Sequence, residues 1–353
     1  MNGGSPGDVL HAAERLAGHG DDREMWHRVW GSLAGRLEAR GLRQAADGHG
    51  LSAASSLRRS SIYLQWSTAF MAADDSRRRE AHARSVELFG RSGTLTNPPL
   101  RRLEMPYEST TFPAWLVVPD AAEPSPCAIY LPGWDSTKEQ GFGVAEALAA
   151  RGIATLLCDG PGMGEAVLFR GLVNRHDYEV PGTAALDCIS GEADIDPARI
   201  AVVGSSLGGY RAARFAAFEP RLRAAVIWGA VWDFGRAWRR QLDQPGSALP
   251  TSIDHALFVM GARDVDEVTH KLDRWTLDPV ASRISCPVLI LHGERDSQFP
   301  IEEAERLHEA ASSTHKVLRV FREDEGGSAH CQNDNRVLAH EEIADWLADE
   351  LTK

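Results

Sequence analysis

From residue 98 onward the chain alternates short apolar runs with helical stretches, and no other feature restricts its fold so tightly. The runs are Cys127–Leu131, Ile153–Cys158, Ile200–Val203, Ala224–Gly229, Cys286–Leu291 and Val317–Phe321. Each is nearly apolar throughout rather than alternating, the pattern of a strand buried on both faces. Helical patterns at Ala145–Ala150, Thr183–Ile189, Tyr210–Phe218, Glu302–Ala311 and Val337–Leu351 lie between or after them. Parallel strands need crossovers of this kind, so the reading is an α/β chain whose central sheet is mostly parallel, with helices on both faces. Leu103–Glu108 and Ala114–Val118 read as a hairpin around a Ser109–Pro113 turn.

Two regions stand apart from this rhythm. Before Asn97-Pro98-Pro99 the apolar spacing is helical, over Met25–Leu37, Leu51–Ala73 and Glu80–Phe89, with glycines between. Residues 1–97 therefore form a helical N-terminal region with frayed first residues, and residues 98–353 a second domain. Within it, 232–276 shows helical patterns, Pro245 and Pro250 but no clear strand. This reads as a helical lid insertion at one end of the sheet.

The apolar run Ile200–Val203 leads into Gly204-Ser205-Ser206-Leu207-Gly208 and then a helix. G-x-S-x-G between a strand and a helix is a sharp turn that projects its serine at the carboxyl end of a sheet. Ser205 and Ser206 are adjacent, but only Ser206 has glycine two residues to each side. A glycine-rich turn capped by serine is the alternative. The run before His292 places Asp296 in a loop at a strand end, where a carboxylate can orient a histidine. Glu294 competes for that role, and Asp296 is preferred as the deeper in the loop. After Val317–Phe321 comes Glu325-Gly326-Gly327-Ser328-Ala329-His330-Cys331, whose glycines let His330 reach a serine. One histidine among 13 means little alone. Three elements in the order Ser206, Asp296, His330, each after its own strand, are the order of an α/β-hydrolase triad. The oxyanion donors expected are the N–H groups of Leu207 and of Trp134, in the loop Pro132-Gly133-Trp134-Asp135; Pro132 has no N–H to give. Asp233 lies past the Ala224–Gly229 strand on the catalytic face, as an assisting group or as an N-cap of the insertion's first helix. Trp232, Trp228, Trp238 and Trp275 would suit a flat pocket, though core packing is the simpler account. His292 reads as strand-end packing, and His255, His270 and His176 as pocket or surface residues.

Gly133-Trp134-Asp135-Ser136-Thr137-Lys138-Glu139, Asp159-Gly160-Pro161-Gly162-Met163-Gly164-Glu165, Gly204–Tyr210 and Glu325–Cys331 together resemble one α/β-hydrolase group. It includes 2,6-dihydroxypseudooxynicotine hydrolase and the fungal polyketide-shortening hydrolases of pigment synthesis. The resemblance spans roughly residues 100–350. It implies the α/β-hydrolase fold with residues 1–97 as a helical cap region. It also implies hydrolysis of a carbon–carbon bond beside a ketone, or of an ester, in an aromatic or polyketide-like small molecule. The alternatives are a non-hydrolytic acyltransferase or cyclase of natural-product biosynthesis, or a peptidase or amidase of the same fold.

A net charge of −12 argues against nucleic acid and anionic membrane surfaces as partners, since both are bound through clustered Lys and Arg. No apolar stretch approaches the roughly 20 residues of a membrane span. Five cysteines without CxxC spacing and no visible signal peptide suggest a cytoplasmic enzyme. No metal motif or cofactor is expected. The apolar N-terminal helices could bury a face in their own core or in a homodimer.

Overall fold

A computed structural model describes residues 3–97, 99–244 and 252–352. Pro98 at the expected boundary, and Pro245 and Pro250 in the expected insertion, lie outside the described residues. The chain divides into two compact units. One runs to Arg102 and includes Glu139–Gly143; the other comprises Leu103–Lys138 and the chain from Val144.

The first unit is helical: α1 (Pro6–Leu16), α2 (Arg23–Ala46), α3 (Gly50–Ser67) and α4 (Ser76–Gly93). Asp22 and Asp75 cap α2 and α4 by accepting from the Met25 and Arg77 N–H groups. Ala12, Val29, Trp30, Leu33, Leu37, Ile62 and Tyr63 form a core among the first three helices. The Trp30 ring stands edge-on to Trp66 at 4.9 Å. The expected fraying does not reach Pro6–Leu16, which form a helix. Pro6 starts α1 at a position that tolerates its missing N–H, and Tyr63 Oη pins the helix by donating to Asp8 (2.8 Å) and accepting from Ser5 N–H (2.9 Å).

The second unit is the α/β domain, although Arg101 and Arg102 of its first strand and Phe142 and Gly143 of its first α-helix fall in the first unit. Its elements are β1 (Arg101–Tyr107), β2 (Thr110–Val117), β3 (Ser125–Leu131), α5 (Phe142–Ala149), β4 (Ala154–Cys158), α6 (Gly164–Arg170), α7 (Glu179–Ile189), β5 (Ile195–Ser205), α8 (Leu207–Phe218), β6 (Ala224–Trp228), α9 (Phe234–Asp243), α10 (Ile253–Met260), α11 (Val265–Leu272), β7 (Val288–Gly293), α12 (Ile301–Ala310), β8 (Lys316–Phe321) and α13 (Arg336–Thr352). The strands form one sheet in the order β1-β2-β4-β3-β5-β6-β7-β8. Pairing is parallel from β4 through β8, and β2 runs antiparallel to β4. The expected α/β-hydrolase sheet is thus present. The hairpin turn is tighter than expected: only Glu108 and Ser109 separate β1 from β2, and Pro113 lies inside β2. Its carbonyl accepts from Asp159 N–H, so a residue without an N–H still pairs.

Chain direction across the sheet reverses beside β3: β4 lies on one side of it and β5 on the other. Such a switch point leaves a crevice at the strands' carboxyl ends, the usual ligand position in an open α/β sheet. The register there pairs Leu131 with Gly204 and Ser205 with Trp228. The loops after β3, β5 and β6 therefore emerge side by side. The segment holding α9, α10 and α11 leaves and rejoins at one point: Phe234 N–H bonds Trp275 O, Leu277 N–H bonds Trp232 O, and Asp233 bridges Thr276.

Candidate active site

Ser206 sits alone between β5 and α8, with φ 57° and ψ −125°. A side chain in that backbone region is sterically costly, so its surroundings must hold it there. Ser206 N–H donates to Trp228 O and Gly209 N–H donates to Ser206 O, each at 2.7 Å. The flanking glycines are required by crowding. A Cβ on Gly204 would lie 1.9 Å from Gly208 O, and one on Gly208 would lie 2.1 Å from Leu131 O. The two adjacent serines part company here. Ser205 Oγ shares a buried hydrogen bond with Tyr130 Oη at 2.8 Å, whereas Ser206 Oγ lies 2.8 Å from His330 Nε2.

His330 Nδ1 lies 2.6 Å from Asp296 Oδ2. With the proton assigned to Nδ1, the ring donates to the carboxylate and leaves Nε2 to accept from Ser206. The other carboxylate oxygen accepts from the N–H groups of Gln298 (2.9 Å) and Phe299 (3.0 Å), which fixes its plane. Burial works to raise the Asp296 pKa, but His330, His292 and the Phe299 N–H outweigh it and hold the carboxyl below its ordinary value. Burial likewise works to lower the His330 pKa. The Cys331 thiol and the Asp296 carboxylate overcome it, so the imidazole titrates above the ordinary histidine range. Glu294 is occupied elsewhere, accepting from Glu323 N–H. His292 is buried, donates to Phe299 O at 3.0 Å and has a lowered pKa, chiefly from desolvation. It packs behind Asp296, as expected for a strand-end histidine.

The histidine loop is held by contacts that sequence reasoning did not anticipate, including those to Asp334 and Gln332, which it had not singled out. Ser328 and Ala329 N–H donate to Asp334, Trp228 Nε1–H donates to Gln332, and the Cys331 thiol donates to Trp228 O at 3.3 Å. Gly293 lets the loop close on β7: a Cβ there would meet Ser328 O at 2.2 Å. The Gly-Gly pair before His330 was the visible signal, since both residues take positive φ.

The loop after β3 lies against the serine. A Cβ on Gly133 would come 3.1 Å from Ser206 Cβ and 3.5 Å from its Oγ. Leu207 begins α8, so its N–H has no carbonyl four residues back within the helix. Trp134 is buried, with its ring 5.0 Å from Phe234. His255 meets the Trp134 carbonyl at 3.4 Å. At the far end of this loop the buried Lys138 bonds Asp159 (2.8 Å) and Glu165 (2.5 Å), and its N–H also donates to Asp159. Phe234 and Phe299, neither singled out by sequence, complete a row of rings. Phe299 is 5.6 Å from His330 and 6.3 Å from Phe234, so aromatic groups run from Trp134 to the histidine.

Asp233 and Trp232 make contacts that match the capping and packing alternatives of the sequence reading. Asp233 caps α9, accepting from Arg236 N–H at 2.8 Å. Trp232 carries the Arg306 guanidinium over its ring at 4.5 Å. Glu303 accepts from both their N–H groups. Among the described residues no hydrogen bond, ion pair or ring contact joins either side chain to Ser206, Asp296 or His330. The reason is local: the chain turns into α9 directly after β6, and the cap takes the carboxylate. His176 and His270 line a cavity of about 690 Å³ that shares no residue with the triad.

A serine bonded to a histidine that is itself bonded to a buried carboxylate can pass its hydroxyl proton to the imidazole and attack an electrophilic carbon. The family model described as "Esterase FrsA-like" matches residues 26–352. The 2,6-dihydropseudooxynicotine hydrolase of Paenarthrobacter nicotinovorans is 31% identical, over 99% of this chain and 90% of that protein. The 20-hydroxy-prefusarin hydrolase FUS2 of Gibberella moniliformis is 27% identical, over 98% of this chain and 92% of its own length. The crystal structure of the 2,6-dihydroxy-pseudo-oxynicotine hydrolase superposes with a TM-score of 0.85 at 31% identity, covering 99% of this chain and 94% of that one. No helix among the described residues is long and apolar enough to cross a membrane.

Proposed function

Since this chain belongs to the FrsA-like esterase family and is an α/β-hydrolase enzyme, we propose that it is a serine hydrolase. Its substrate would be an aromatic or polyketide-like metabolite, cleaved at a carbon–carbon bond beside a ketone or at an ester. The observation that carries the reading is the continuous line from Ser206 Oγ through His330 to Asp296, 2.8 and 2.6 Å long. His330 takes the Ser206 proton and the alkoxide attacks the substrate carbonyl. Leu207 and Trp134 N–H stabilise the tetrahedral oxyanion, while Asp296 stabilises the imidazolium. Collapse expels an alkoxide or a stabilised carbanion, which His330 protonates. Water, deprotonated by His330, then releases the acyl group from Ser206.

Substrate class rests on two supports. The rings of Trp134, Phe234 and Phe299 lie along the proposed reacting groups and suit a flat, unsaturated substrate. Two relatives are named as a 2,6-dihydropseudooxynicotine hydrolase and a 20-hydroxy-prefusarin hydrolase. Asp233 has no place in the mechanism, because its carboxylate caps α9. The division into a helical cap region, 1–97, and a catalytic domain, 98–353, with a lid at 232–276, is part of the same proposal.

The test is a parallel screen of aryl 1,3-diketones, aryl esters and p-nitroanilide peptides. Turnover of ketones or esters that Ser206→Ala abolishes supports the reading. Turnover confined to peptides would overturn the substrate class and leave the triad standing.

A further inference from the structure

Arg211 lies on α8, five residues after Ser206, and is fully buried. Its Nη1 donates to Pro132 O at 2.5 Å and Gly133 O at 3.3 Å and lies 3.1 Å from Met163 Sδ; Nη2 donates to Asn174 Oδ1 at 3.1 Å. The guanidinium also stands 5.1 Å over the Tyr178 ring. Among the described residues no carboxylate pairs with it. A buried cation without a counter-ion is costly, and an apolar side chain would pack there at lower cost. What arginine offers is a rigid plane of donors: Nη1 alone reaches two successive carbonyls, while Nη2, held by Asn174, fixes the plane.

Those two carbonyls belong to the peptide groups of the oxyanion loop. In a trans peptide the C=O and the following N–H point in opposite directions. Holding Pro132 O turns Gly133 N–H away from Arg211, and holding Gly133 O turns Trp134 N–H away from it. The same Gly133 touches the serine: its missing Cβ would stand 3.1 Å from Ser206 Cβ. Gly208 allows the close crossing, since Leu131 O and Pro132 O would lie 2.1 and 2.9 Å from a Cβ there. The loop's other end is tied independently by Lys138 and Asp159. A charged donor also polarises the Gly133 peptide and makes its N–H partner a stronger donor.

We propose that Arg211 is a positioning residue, which aims the oxyanion-loop amides by gripping the carbonyls of Pro132 and Gly133. This rests on the serine-hydrolase reading, because an oxyanion must form for the aim to matter. The role is distinct from that of His330, which moves the proton.

The test is the kinetics of labelling by an alkyl fluorophosphonate. Ser206 Oγ forms a bond to phosphorus, fluoride leaves, His330 takes the serine proton, and the phosphoryl oxygen occupies the oxyanion site. The variants are Arg211→Met and Arg211→Lys, checked by thermal melting. One oxyanion donor is worth about 10²–10³ in rate, so misaiming it should lower the maximal inactivation rate about 10- to 100-fold in both variants. The apparent probe affinity should stay within about twofold and the pH midpoint should not move, because the histidine is untouched. Arg211→Lys keeps the charge and decides the matter if Arg211→Met fails to fold. Folded variants labelling within about twofold of wild type overturn the proposal, as does a loss confined to affinity or a displaced pH midpoint. Failure of both to fold would make Arg211 a folding element only and overturn it as well. Labelling that survives Ser206→Ala, or absent from wild type, overturns the serine reading and this proposal with it. Silence in Ser206→Ala with wild-type rates in the Arg211 variants overturns this proposal alone.

Discussion

Replacing Gly208 by alanine tests whether the serine turn is built by close approach of two backbones. The added methyl would stand 2.1 Å from Leu131 O, more than 1 Å inside the ordinary carbon–oxygen contact of about 3.3–3.6 Å. The obstacle is backbone at the end of a central strand, so no side chain can swing aside. Either α8 or the loop after β3 must move by about 1 Å. Overpacking of this kind costs roughly 1–3 kcal/mol, and a displacement of about 1 Å at reacting groups can cost about 10²-fold in rate. Gly208→Ala should therefore melt several degrees below wild type, at about 2–4 °C per kcal/mol in a domain of this size, and label with fluorophosphonate about 10²-fold more slowly. Gly31→Ala is the control. It lies inside α2, where an added methyl would have nothing within 4 Å, and should be neutral or up to about 1 kcal/mol more stable. A Gly208→Ala protein that melts and labels like wild type would refute the crowded-turn argument.

Other consequences follow from the same contacts. Asp296→Asn should lower the labelling rate about 10⁴-fold while leaving the fold intact, measured as the maximal inactivation rate. Because His330 acts as a base only when neutral and its pKa is raised, labelling should climb with pH through a midpoint above about 6.5. Asp296→Asn removes one group that raises it, so a pH–rate profile should place the variant's midpoint lower. Lys138→Met should cost about 3–5 kcal/mol in denaturant melts, since it strands Asp159 and Glu165 beside one another. Glu303 has a pKa raised chiefly by burial, so its ionised form is disfavoured by folding and stability should gain as pH falls through that pKa. Glu303→Gln, neutral but still an acceptor, should be as stable as wild type or more so at pH 7, whereas Glu303→Ala should lose about 2–4 kcal/mol by orphaning two N–H groups.

The sheet was readable because strands buried on both faces must be apolar along their length, as Ile129 between Leu156 and Val202 illustrates. The meeting of Ser206, His330 and Asp296 was readable because the glycines around Ser206 and before His330 leave a mark in the sequence that backbone geometry demands. What depended on distant segments meeting was not visible. Nothing in the spacing of Arg211 announces that its guanidinium meets Pro132 and Gly133, seventy-nine and seventy-eight residues away. Phe234 and Phe299 join the ring row only because α9 and the loop after β7 converge. α6 escaped notice because seven residues, opening on Gly164 and stopped by Gly171, carry too little periodicity. Asp233 had two readings in the sequence, an assisting group or an N-cap, and its side chain makes the cap contact at the start of α9.

The most direct measurement of the central claim is intact mass after fluorophosphonate treatment of wild type and of Ser206→Ala. The account predicts a single phosphonyl adduct on wild type, mapped to the peptide containing Ser206, and none on the variant. An adduct that persists in Ser206→Ala, with Ser205 the next residue to examine, or a wild-type protein that takes no label, would contradict it.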